Sequence, residues 1–224
     1  MTAQSKLPLA RLLQLASPAL PVGAYSYSQG LESAVEAGII RNAASASRWI
    51  GEVLDRSIMS LEAPLLVRLV RAFATGDATA YAEWNELFVA SRETAELRAE
   101  TLQMGHSLNN LLDSLGVPTK EMMPAECGYP AAYARAVAAW GIDEDEAVMA
   151  YVWLWLENQV MAALKSVPLG QTDGQRMLLD LAGHIDAGIS HVKNMEDDDM
   201  GSSVPHLAVL SAVHETQYSR LFRS

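Results

Sequence analysis

The residues whose types could do chemistry are few, and their spacing argues against most of the chemistry they could do. His184 and His191 are seven apart and share a face of one helical segment, and His206 and His214 lie near the end of the chain. None belongs to an HxH or HExxH pattern, the short spacing that brings imidazoles together on a metal ion, so no metal site is expected. Glu196 to Asp199 is an acidic run with weak attraction for divalent cations, and a solvated link accounts for it equally well. GQTDGQR, Gly170 to Arg176, has the glycines of a phosphate-binding loop but lacks the Lys-Ser/Thr pair that meets the phosphates, and reads as a connection between helices. Cys127 sits in ECGYP with no recognisable motif around it and is read as a small buried residue. Trp84, Trp140, Trp153 and Trp155 are read as core and not as an aromatic cage. No catalytic residue is assigned. One stretch is richer than a plain connection requires: PVGAYSYSQGLE, Pro21 to Glu32, which packs two tyrosines, two serines and two glycines. Loops with so much fixed chemistry are either buried corners or recognition surfaces.

These residues need a scaffold, and composition bounds it. The chain has 224 residues, 50% of them hydrophobic, spread along its length, which suits one large domain with a real core. The longest apolar run, Ala147 to Leu156, is far below the roughly 18 residues of a membrane span and is bordered by Asp143 to Glu146 and by Glu157. The opening stretch carries Lys6 and Arg11 near leucines, but Arg11 interrupts the apolar run and Leu9, Leu12, Leu13 and Leu15 fall at helical spacing, so it is read as an amphipathic helix and not as a leader. A net charge of −11 opposes binding to nucleic acid and favours basic protein partners. With one cysteine there is no internal disulfide, and a cytoplasmic location is expected.

Glycine and proline divide the chain into segments of helical periodicity, and the fold class expected is all-α: a single-domain helical bundle with a central hydrophobic helix and a C-terminal docking tail. Helices are predicted over Leu7 to Ala16; Gly30 to Ala37, begun by a capping box of Ser26 and Gln29; Ser45 to Met59; Pro64 to Ala74; Ala78 to Val89; Glu93 to Leu115; Pro130 to Trp140; Asp143 to Lys165; and Asp173 to Val192. In the sixth, Glu93, Glu96, Arg98 and Glu100 are expected on the wet side and Leu97, Leu108, Leu111, Leu112 and Leu115 in the core. In the last, Leu178, Leu179, Leu181, Ile185 and Ile189 are expected to be core. The Asp143 helix is apolar nearly all round and should be central. The division expected is a helical domain over residues 1–194 and, over 195–224, an acidic flexible linker followed by a segment with Leu207, Leu210, Val213, Tyr218, Leu221 and Phe222 at three- to five-residue intervals. That segment is either a partner-docking element or a helix packed on its own domain.

Four separated blocks resemble the UreF family of urease accessory proteins: SPALPVGAYSYSQGLESAVEAG, RETAELRAETLQMGHSLNNLL, WLENQVMAALKSVPLGQTDGQ and HETQYSRLFRS. Their order and spacing carry the resemblance over essentially the whole chain. It departs from the family at Ala24, where many members have Gly, and at Tyr25 and Tyr27, where Phe or Trp is common.

The resemblance implies an all-helical chain, commonly a homodimer, that binds UreD (also called UreH) and the GTPase UreG and docks on urease apoprotein, supporting GTP-dependent assembly of its carbamylated dinickel centre. The nickel chemistry then belongs to the partners, and this chain needs no cofactor and no membrane. It further implies docking of UreD/UreH on Tyr218, Arg220, Leu221, Phe222 and Arg223, a GTPase-facing surface near Lys165, Gln171 and Thr172, and a conformational role for Tyr25, Tyr27, Gln29 and Glu32. A second expectation is direct regulation of UreG hydrolysis, with Arg176 or Arg220 acting as an arginine finger does. A third is an independent enzyme whose site is assembled from distant residues, recognisable by a deep polar pocket of convergent titratable groups.

Overall fold

The computed structural model describes residues 6–119 and 122–224, and all the regular structure among them is helical. α1 (Leu7–Leu15) places Pro8 in its first turn, where its missing N–H has no bond to lose. α2 (Leu31–Glu36) follows the loop of interest, and α3 (Ala43–Val53) starts two residues before the predicted Ser45, because Asn42 and Ser45 cap each other reciprocally. α4 (Ala63–Thr75) and α5 (Ala78–Ala90) form a hairpin closed by Gly76, which adopts a φ of 78°. α6 (Ala95–Ser114) is capped by Thr94, α7 (Tyr129–Trp140) ends at Gly141, and α8 (Glu144–Ser166) starts at Asp143, whose carboxylate accepts from the N–H groups of Asp145 and Glu146. α9 (Gln171–Asn194) and α10 (Pro205–His214) complete the order.

The helices predicted over Ser45 to Met59 and Pro64 to Ala74 are one unbroken rod. Between α3 and α4 the chain runs through a π-helical segment, Leu54–Glu62, with Ala63 N–H bonding back to Ile58 O. The wider turn lets the rod pass Pro64, whose missing N–H leaves Ser60 O without the partner an α-helix would give it. The segment expected to be a flexible linker binds here: Gly201 N–H donates to Ser60 O at 3.0 Å and Ser203 N–H to Arg56 O at 3.0 Å. Arg68 adds bonds to Asp197 (2.6 Å) and to Met195 O (2.5 Å). The link is therefore seated on the rod.

α8 is central as expected, touching α1, α2, α3, α4 and α9. It leaves one stripe incompletely covered, Met149, Trp153, Glu157, Met161 and Lys165, at four-residue spacing beside α1. The deepest packing is between α4 and α7, where Ala131, Ala132, Ala134 and Ala136 keep the helix axes close. On α6, a Cβ at Gly105 would stand 2.1 Å from Cys127 O, so only glycine lets the 127–128 backbone lie against that helix. Arg135 is wholly buried and binds Asn109 (2.9 Å), Asp113 (2.6 Å) and the carbonyls of Pro118 and Val117, tying α7 to the turn after α6. Leu115 and Leu179, expected in the core, are exposed, since they fall at the helix flanks that no neighbour covers.

Candidate partner-docking site

The rich loop before α2 is a buried corner with one exposed edge. Gly23 takes a φ of 79°, and then Gln29 and Gly30 take 51° and 76° in succession. Gln29 is the one non-glycine residue with positive φ among those described, a costly conformation that surrounding contacts must enforce. They do: its side-chain N–H₂ donates to Glu100 at 2.8 Å and its carbonyl accepts from Trp155 Nε1–H at 2.7 Å. An amide is the side chain that both gives and takes at one position. Gly30 faces Leu207 and the Ser211 backbone of α10 at 3.3 Å from where a Cβ would sit. The predicted capping box of Ser26 and Gln29 does not form. Gln29 points away into the core, and Ser28 Oγ accepts the N–H of Glu32 instead.

The end of the chain folds back onto this corner. Ser224 O accepts from Ser28 N–H (2.7 Å), Gln29 N–H (3.1 Å) and Ser28 Oγ–H (2.6 Å), and Arg223 N–H donates to Ser26 O at 2.8 Å. Glu32, buried in α2, accepts the backbone N–H groups of Leu221 (2.7 Å) and Phe222 (3.0 Å). Its carboxylate also faces His214 Nε2 at 3.2 Å, and His214 Nδ1 lies 2.7 Å from Glu96, which Arg220 reaches at 2.6 Å. Glu215 accepts the N–H of Ala95 at 3.0 Å, setting a carboxylate at the positive end of α6, and Thr94 and Ser211 hydroxyls meet at 2.8 Å. The residues singled out at the first motif and at the C-terminus are thus two halves of one clasp.

What the clasp presents outward is mostly apolar or cationic. Tyr218 is fully exposed, Leu221 is 71% and Tyr25 65% exposed, and Arg220 and Arg223 are on the surface. Phe222 is the inward anchor of the segment, with the Lys165 ammonium 5.5 Å from its ring centre. Lys165 therefore belongs with the C-terminal group. Gln171 and Thr172 are exposed at the start of α9 and make no hydrogen bond to the clasp among the described residues. Arg176 is exposed beside Asp173 at 3.4 Å, whereas Arg220 is already engaged by Glu96.

Beneath the clasp lies a cavity of about 50 Å³ lined by Gln29, Glu62, Arg92, Glu100, Tyr129, Tyr151 and Trp155. Burial pushes the Glu100 carboxyl up to about 7, partly offset by its bonds from Ser224 and Gln29. Burial likewise raises the Tyr27 phenol, with Glu100 adding to the effect and Arg223 opposing it. Tyr151 donates to Glu62, and Arg92 pairs with Glu62 at 3.3 Å. The space is far smaller than the roughly 300 Å³ at which substrate pockets begin. Among the described residues no group of three or more His, Cys, Asp or Glu side chains is arranged to hold a metal ion. Burial raises the Cys127 thiol to about 11, which keeps it in the unreactive protonated form at neutral pH.

Sequence reasoning missed Ser28, Glu96, Glu100, His214 and Ser224. Glu100 and Glu96 were placed on the wet side of α6, but Glu100 is buried and Glu96 is turned to His214 and Arg220. The signal for Glu100 was present: it follows Leu97 by three residues and precedes Met104 by four, which puts it on the core face.

The fold and this site together define an all-α protein in which an extended polar network seats the chain's own C-terminal segment. The family model for UreF matches residues 40–182. Full-length relatives carry the name urease accessory protein UreF: one from Azoarcus sp. (strain BH72) is 55% identical over 97% of this chain and 96% of its own. One from Dechloromonas aromatica (strain RCB) is 50% identical, covering 97% and 98%, and one from Chromohalobacter salexigens is 47% identical, covering 97% and 95%. This chain belongs to the UreF family of urease accessory proteins.

Proposed function

We propose that the chain serves urease maturation as a non-catalytic cytoplasmic adaptor. It holds UreD/UreH and the GTPase UreG against urease apoprotein and so supports GTP-dependent installation of the nickel centre. Family membership supports the setting. The observation that carries the mechanism is the clasp: Phe222 and Ser224 are buried anchors, and between and beside them Tyr218, Arg220, Leu221 and Arg223 are held out to solvent on a fixed backbone. A preorganised aromatic and aliphatic pair with arginines at its side is the composition of an interface hot spot, because little ordering entropy remains to be lost on docking. The residues 195–224, with Lys165 beside the Phe222 ring, act as the docking segment for UreD/UreH, and Gln171 and Thr172 mark the GTPase side.

The test is the mass, by light scattering on a sizing column, of the chain mixed with UreD/UreH and UreG. The wild-type chain is expected to form a defined complex. A chain ending before Gln217, and a Tyr218→Ala, Leu221→Ala variant that keeps both anchors, are expected to lose it. Complex formation unaffected by the double substitution would remove the C-terminal surface from the mechanism.

For the homodimer a surface is available beside α1. Leu9 and Leu13 are exposed around a groove of about 530 Å³ between α1 and α8, lined by Met149 and Trp153, and contiguous exposed apolar side chains mark interaction surfaces. A second reading, regulation of UreG hydrolysis, is favoured at Arg176 over Arg220, since Arg176 has only an exposed aspartate to leave. GTP turnover of the assembled complex unchanged by Arg176→Ala would end that reading.

A further inference from the structure

Glu100 projects from α6 to the point where three distant segments meet. Gln29 of the loop donates to one of its oxygens, and the Ser224 hydroxyl lies 2.8 Å from the other. The groups facing it can be taken element by element. The loop brings Tyr27 and Gln29, the π-segment brings Glu62, the turn before α6 brings Arg92, and the C-terminus brings Ser224. Tyr129 of α7 and Tyr151 of α8 line the same cavity, and burial holds both phenols above their ordinary range, hence neutral. Arg92 is the one cation acting on Glu100 from within this set, and it already pairs with Glu62 at 3.3 Å. An ionised Glu100 is therefore a buried charge held by two neutral donors. Such a charge is stable only while something else holds the enclosure shut.

We propose that Glu100 is a proton-controlled keeper of the C-terminal segment: with its carboxyl neutral, residues 217–224 stay seated on the loop, and with it ionised they lift, exposing the carboxylate to water. The contact with Ser224 survives in either state, because a hydroxyl donates to a carboxylate and accepts from a carboxylic acid. What changes is the cost of enclosing the charge. The closed clasp holds the carboxyl near 7, above its ordinary 4.5 in water, so closure binds a proton more tightly than opening does. The contribution of Glu100 to seating is fully present below the ordinary carboxylate range and is lost as pH rises through about 7. The same motion frees Leu221 and Phe222 N–H from Glu32 and Arg223 N–H from Ser26. The device thus tunes how Tyr218 and Leu221 are offered, a consequence that rests on the docking reading above, whereas the seating equilibrium does not.

The experiment is hydrogen exchange on the free full-length chain, followed at the amides of Ser28, Gln29, Leu221, Phe222 and Arg223 at pH 6 and pH 8, after correction for the intrinsic base catalysis of exchange. The populated opening of these amides is expected to rise about tenfold between the two values, from the displacement of one carboxyl. In Glu100→Gln, which keeps both hydrogen bonds without a titrating charge, the rise is expected to vanish. Equal corrected protection at pH 6 and pH 8 in the wild-type chain overturns the proposal, and this reading needs no variant to fold. A rise that persists in Glu100→Gln overturns it too, by placing the titrating group elsewhere. Because no partner is present, failure here leaves the docking reading standing, and loss of the docking reading leaves this result intact.

Discussion

Two corners of the molecule bury a charged side chain, and they treat it differently. At Arg135 the guanidinium is wholly enclosed but meets an aspartate, an asparagine and two carbonyls, with Asp113 itself 57% exposed so that the pair keeps contact with water. At Glu100 the carboxyl has two neutral donors and only a share in a cation that belongs to Glu62. The first arrangement satisfies both the charge and the donors and makes a fixed pin between α7 and the turn after α6. The second satisfies hydrogen bonding and leaves the charge uncompensated, which makes it adjustable. Both side chains are hydrogen-bonded, four times at Arg135 and twice at Glu100, and what makes one fixed and the other adjustable is the location of the opposite charge.

The sharpest way to break this comparison is to remove the pin. Arg135→Ala empties a wholly buried site and leaves the buried Val117 carbonyl and the more open Pro118 carbonyl without this donor, and is expected to cost about 2–4 kcal/mol in urea unfolding. A loss below about 1 kcal/mol would show that the corner holds itself together without its cation. Next comes the pH dependence of global stability. Since the folded chain holds Glu100 at about 7 against 4.5 in water, the folded state binds more protons between those values, and stability falls as pH rises from about 5 to 8. The Glu100 share of that fall is about 3 kcal/mol, and it should be missing from Glu100→Gln. Parallel stability profiles for the two chains would place Glu100 with Arg135 as a passive structural group.

Smaller effects separate the anchors of the clasp from its display. Glu32→Gln weakens a carboxylate that accepts two backbone N–H groups, and is expected to lower stability by about 1–2 kcal/mol. Tyr218→Ala, at a fully exposed position, should change it by less than about 0.5 kcal/mol while reducing complex formation. If the two substitutions act alike on stability, the division between inward anchor and outward surface does not hold.

Much of the scaffold was legible. Periodicity and caps placed the body helices to within a few residues, because a capping serine, an aspartate before an apolar run or a terminating glycine acts within one turn of the chain. Asp143 is an example, bonding the N–H groups two and three residues on. The π-segment was not legible, since Pro64 reads equally well as the first turn of a new helix, and the carbonyls of Ser60 and Arg56 gain their distant partners only when Gly201 and Ser203 arrive. The misread capping box has the same origin. Ser26 and Gln29 have the right spacing, but Gln29 is held at positive φ by Glu100 and Trp155, partners 71 and 126 residues away.

The sequence by itself determined that this chain is helical and that α8 is its central element, and the four blocks of family resemblance singled out one loop and one terminus. Tertiary structure alone decided that these two regions are one site. Ser28 and Ser224 are 196 residues apart, and the bond between them depends on how α2, α6, α8 and α10 pack together. Spacing along a chain encodes which face of a helix a residue occupies. It does not encode which distant carboxylate will be left, when the helices close, without a charge to meet it.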